Sequence, residues 1–110
     1  MIDMQSLAAL LDDDSLVRKY LDRFVQDMPV LMEHMQEAAA HQQWEQLQLH
    51  AHTYKSQAQY LNASTSIRIA STLEQLCTDS KPDRDRIEQL LNELKKELRA
   101  TIHEIRQING

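Results

Sequence analysis

Residues 50–56 read His-Ala-His-Thr-Tyr-Lys-Ser. Two imidazoles and an ammonium in seven residues admit three chemistries: metal ligation, nucleophilic attack, or none beyond solvation. An imidazole is neutral for much of the time near pH 7, so one ring nitrogen can act as a nucleophile. On a helix each residue turns by about 100°, which puts His50 and His52 roughly 200° apart. They therefore cannot chelate one ion. A bundle metal site prefers spacings of three or four, with acidic or histidine partners on facing helices. No metal site is expected.

The two flanks of this stretch differ. His50 shares its side with Gln46, Thr53 and Gln57, a solvated polar face. His52 shares its side with Lys55 at i+3, Ser56 at i+4 and Gln59 at i+7. That flank combines a nucleophile, a surface ammonium able to neutralise a bound anion, and a small residue that leaves room for a partner. The plain alternative is a helix surface carrying a stray histidine and lysine. His34, His41 and His103 have no chemical neighbours in sequence and read as solvated.

These residues need a helix, and the chain is organised as helices throughout. Met4 to Leu11 predicts a short first helix, closed by Asp12-Asp13-Asp14, any of which can cap the next. The second is predicted over 15–40, with an apolar stripe of Val17, Leu21, Phe24, Met28, Leu31, Met35 and Ala38. Pro29 in its middle should kink or split it. The third carries Trp44, Leu47, Ala51, Tyr54, Ala58 and Leu61, ended by Asn62 in a left-handed conformation. Ser64 or Thr65 can cap the fourth, with Ile67, Ala70, Leu73 and Cys77 inward. Pro82 suits the first turn of a fifth helix that buries Ile87, Leu91, Leu94, Leu98, Ile102 and Ile105. The expected fold is all-α: an antiparallel four-helix bundle with a short additional N-terminal helix, one domain over residues 1–110.

The stretch Ala51-His52-Thr53-Tyr54-Lys55-Ser56, continuing to Leu61-Asn62-Ala63, resembles the signature of histidine-containing phosphotransfer (HPt) domains, A-H-x-L-K-G-x-x-x-x-L-G-A. Leu73-Glu74 resembles the family's frequent Leu-Glu on the following helix. Tyr54 stands in an aliphatic position, and Ser56 and Asn62 replace the two glycines. The resemblance implies a phosphorelay intermediate rather than an autonomous enzyme. His52 would accept a phosphoryl group from a receiver-domain aspartate and pass it to another receiver. Lys55 would stabilise the phosphoryl group, Ser56 and Gln59 would border the approaching partner, and Glu74 would orient the histidine ring. The implied partners are response-regulator receiver domains and a hybrid sensor kinase. Magnesium would come with the receiver, and no cofactor belongs to this chain.

Docking also needs an apolar centre. Met4, Leu7 and Leu11 of the first helix and the methionines of the second are candidates for it as well as for the core. Composition sets the class. The 110 residues carry a formal charge of −5, which argues against a nucleic-acid partner. One cysteine excludes an internal disulfide and fits a reducing compartment. There is neither a membrane-length apolar run nor a secretory leader pattern, so a cytoplasmic, stand-alone monomer is the expectation. Two other readings compete: a bundle adaptor that binds a receiver or kinase without carrying phosphate, and a metal or haem bundle enzyme. Acid-labile label from a phosphorylated receiver separates the first, and metal analysis the second.

Overall fold

The computed structural model describes residues 2–109. Five helices follow one another: α1 (Met4–Leu11), α2 (Asp14–Ala40), α3 (Trp44–Tyr60), α4 (Ser64–Leu76) and α5 (Arg84–Asn109). There is no strand among the described residues. α2 packs on α3 and α5, and α4 packs on α3 and α5, so four helices close a ring around one core. Short connections between consecutive helices make neighbours antiparallel. α1 lies against α2 and α3. None of the described helices is long and apolar enough to cross a membrane.

Local chemistry starts and stops each helix. Asp3 caps α1 by accepting from the Ser6 backbone N–H at 3.0 Å. Asp13 caps α2, accepting from Ser15 N–H at 2.7 Å. Asp12 between them adopts a left-handed conformation with φ of 51°, which aspartate tolerates better than most residues. Asp83 caps α5 through the Arg86 N–H at 3.1 Å. That helix therefore begins at Arg84, and Pro82 precedes it instead of occupying its first turn. Neither Ser64 nor Thr65 caps α4. The N-cap is Ala63, whose carbonyl accepts from Ile67 N–H at 2.9 Å.

Asn62 takes the left-handed conformation that ends α3, with φ of 50°. Its side-chain amide donates to Asp3 Oδ2 at 3.1 Å, and Asp3 N–H donates to the Leu61 carbonyl at 2.9 Å. The end of α3 and the start of α1 are thereby tied together. Ile2 N–H donates to the Glu104 carboxylate at 3.2 Å, which ties the same segment to α5.

The core follows the apolar stripes, with local departures. α2 runs through Pro29 as one helix of 27 residues. Beyond the proline the inward positions are Met32, Met35, Ala38 and Ala39, and Leu31 is only half-buried. In α4 the inward set is Ser66, Ile69, Ala70 and Leu73, with Ile67 half-buried. In α5, Leu90 and Thr101 join the buried face, and Ile102 is at its edge. Thr101 satisfies its buried hydroxyl by donating to the Glu97 carbonyl at 2.8 Å.

The Asn62 joint gives a direct test. Asn62→Ala should destabilise the fold by about 1–2 kcal/mol, through left-handed strain and the lost hydrogen bond to Asp3. Asn62→Gly should cost less, because glycine adopts this conformation freely. Urea unfolding measures both. Equal losses would assign the effect to the hydrogen bond alone.

Candidate functional site

α3 buries Leu47, Ala51, Tyr54 and Ala58, spaced by four, three and four. Burying Ala51 turns its neighbour His52 outward, and 62 % of the His52 side chain is exposed. The facing helix α4 buries Ser66 and Ala70. Small residues on both helices let their backbones approach closely, and Leu73 beneath is fully buried. Glu74, next in sequence, is carried to the edge of that contact.

There the carboxylate of Glu74 meets α3 twice. Its Oε2 lies 3.3 Å from His52 Nδ1, and its Oε1 lies 2.8 Å from Lys55 Nζ. The short distance to Oε1 makes the lysine contact a close ion pair. Glu74 is 19 % exposed and Lys55 23 %. Burial pushes the Glu74 pKa up, but the Lys55 ammonium and the His52 ring more than offset this and hold it below the usual carboxylate value. Lys55 is thus a half-buried, paired ammonium, not the freely solvated one suggested by its spacing.

The contact has a consequence for the ring. With its proton on Nδ1, His52 donates to the carboxylate, and Nε2 keeps its lone pair on a ring that is largely exposed. A buried acceptor on one ring nitrogen and an open face on the other is the arrangement a nucleophilic imidazole needs.

Ser56 is half-buried, and its hydroxyl donates to the His52 carbonyl at 3.1 Å. That bond is local to the helix and turns the hydroxyl toward the backbone. Gln59 is exposed and lies further along the same flank. The structure therefore joins His52 to Glu74 by a hydrogen bond and Lys55 to Glu74 by charge, ties Ser56 to the His52 backbone, and leaves Gln59 as surface.

The other histidines are separate. His50 is half-buried with its ring 5.7 Å from that of His34 on α2. Burial, aided by His34, lowers its pKa below 6.5. His41 pairs with Glu37 at 3.0 Å. On the His50 side, Gln57 is not simply solvated: the Tyr20 hydroxyl donates to its carbonyl at 3.1 Å and to its Oε1 at 2.9 Å. Tyr54 fits its aliphatic position by full burial, which raises its phenol pKa, with Glu97 adding to the effect.

The apolar surface also differs from its sequence assignment. Leu7 is fully buried, Met4 and Leu11 are half-buried, and Met28, Met32 and Met35 are core. The three core methionines of α2 are not available to a partner. The large exposed apolar side chain of α1 is Leu10, at 61 %, with Tyr60 of α3 at 43 %. Together with Ser56 and Gln59 they line a shallow depression of about 310 Å³. Leu10 lies off the stripe of Met4, Leu7 and Leu11. Its neighbours at the depression come from α3, a contact between helices that spacing along α1 does not show.

No curated protein and no solved structure matches the chain. The family model of the Hpt domain matches residues 19–108. That span runs from the first turns of α2 to the end of α5 and includes His52, Lys55 and Glu74. The chain belongs to the Hpt domain family, which carries out histidine phosphotransfer in two-component phosphorelays.

Proposed function

We propose that this protein is a phosphorelay intermediate whose phosphorylated atom is Nε2 of His52. The observation that carries the reading is the Glu74 contact on Nδ1, which leaves an exposed imidazole with its free nitrogen outward. The donor is the aspartyl phosphate of a receiver domain. The Nε2 lone pair attacks phosphorus, the P–N bond forms, and the P–O bond to the aspartate breaks. The electron pair of that bond leaves with the carboxylate. The ring is then a phosphorylated imidazolium whose Nδ1–H faces Glu74, and a second receiver aspartate takes the group by the reverse step.

Phosphoryl transfer asks a protein for positioning and charge neutralisation. Glu74 supplies the first by holding the ring and its tautomer. Lys55 supplies the second. Its ammonium lies three residues from His52 on the same face, close enough to serve the phosphoryl oxygens as well as Glu74. Magnesium and the acid residues that hold it are assigned to the receiver. A sensor kinase with its own receiver domain fits as the upstream partner.

Label transfer from a phosphorylated receiver tests the assignment. His52→Gln should abolish acid-labile, base-stable label, and His50→Gln should retain it. Retained label in His52→Gln would refute the reading, and receiver binding without any label in the natural protein would favour an adaptor. Lys55→Ala should slow single-turnover transfer by about tenfold or more. It should also cost on the order of 1 kcal/mol of stability, because the half-buried Glu74 carboxylate loses its ammonium.

Ser56 acts by being small on this reading, since its hydroxyl is occupied by the His52 carbonyl. Transfer rates should fall with side-chain volume through Gly, Ala, Ser and Gln at position 56. The glycine variant should nevertheless lose roughly 0.5–1 kcal/mol of stability. A rate maximum at serine alone would show that the hydroxyl itself serves the phosphoryl group.

A further inference from the structure

α1 lies wholly outside the family match, which begins at residue 19. It is nevertheless fixed to the bundle. Ile2 and Leu7 are buried in the core, and Asp3 bonds to both Leu61 and Asn62. A helix held this firmly presents its remaining side chains at defined positions. The one that matters is Leu10, 61 % exposed at the wall of the depression it shares with Ser56, Gln59 and Tyr60.

That depression adjoins the candidate phosphorylation site. Ser56 and Gln59 follow His52 by four and seven residues, which is about 6 and about 10 Å along the helix axis. A specific interface of standard size covers about 800 Å² on each partner, equivalent to a disc of about 16 Å radius. A folded domain whose footprint is centred on Nε2 therefore reaches the Ser56 and Gln59 side of the depression. Leu49, 62 % exposed and three residues before His52, borders the site on its other side. Leu10 and Tyr60 then become the apolar contact on the α1 side, and tyrosine is among the residues enriched at binding hot spots.

We propose that α1 is a partner-selecting element, in which Leu10 together with Tyr60 contacts the receiver domain that exchanges phosphate with His52. This rests on the phosphotransfer reading above. Selection follows because the contact lies outside the chemistry: a receiver whose surface fills the depression gains contact area, and one with a charged side chain there must bury it unpaired.

The test separates docking from chemistry by using two phosphoryl donors. Phosphoramidate is small and needs no docking surface; its P–N bond breaks, ammonia leaves, and the P–N bond to His52 forms. The second donor is a panel of phosphorylated receiver domains, taking the one that labels the natural protein fastest. Leu10→Ala and Leu10→Asp should label with phosphoramidate within about twofold of the natural protein, which shows an intact fold and an intact His52. Transfer from the receiver should slow by about tenfold for Leu10→Asp and less for Leu10→Ala, and the rank order of receivers should change. Unchanged receiver transfer in Leu10→Asp would overturn the role of α1. So would a Leu10-dependent dimer in size-exclusion chromatography, which would assign the depression to a second copy of this chain. The phosphotransfer reading itself fails separately, if His52→Gln is still labelled by the phosphorylated receiver.

Discussion

A partly buried carboxylate must be compensated, and Glu74 is compensated twice. At 19 % exposure it cannot rely on water, so its two oxygens take His52 and Lys55 as partners. Both partners come from the same face of α3, one turn apart, and the carboxylate comes from α4. This contact bridges α3 and α4 at the point where chemistry is proposed. It also fixes which ring nitrogen of His52 is engaged. The close α3–α4 packing through Ala51, Ala58, Ser66 and Ala70 is its precondition, because a larger residue at any of these positions would move Glu74 out of reach.

The same contact divides the labour among the site residues. Glu74 faces Nδ1 and lies beneath the exposed surface, so it meets the ring and not the partner. Lys55 is held by charge to a carboxylate that also touches the histidine, which keeps the ammonium near the place where phosphoryl charge would appear. Ser56 directs its hydroxyl inward to the backbone and presents little bulk outward. Each of these features concerns access and orientation, which is what phosphoryl transfer requires of the acceptor.

Much of this was legible in the sequence. The order of the five helices, the left-handed Asn62 and the outward placement of His52 follow from period and from residue chemistry, both of which are local. Departures arise where packing between helices decides. Leu31 and Met32 are both apolar and adjacent, so periodicity could not say which would be buried beyond Pro29. The start of α5 went to Asp83, whose side chain accepts a backbone bond, over Pro82, which only tolerates the position. Lys55 looks like a surface ammonium from α3 alone, and its burial depends on Glu74 arriving from α4. Leu10 of α1 lies off the Met4, Leu7 and Leu11 stripe, and only the docking of α1 against α3 sets it beside Ser56, Gln59 and Tyr60.

The central claim is that the Glu74 contact reserves Nδ1 and leaves Nε2 of His52 as the reactive atom. Long-range proton–nitrogen correlation spectra of the phosphorylated protein, labelled with nitrogen-15 histidine, read this directly, since the two ring nitrogens give distinct patterns when one carries phosphorus. The account predicts a single phosphorylated ring, that of His52, substituted at Nε2 with the proton on Nδ1. Phosphorus on Nδ1 of His52, or on any other histidine, would contradict it.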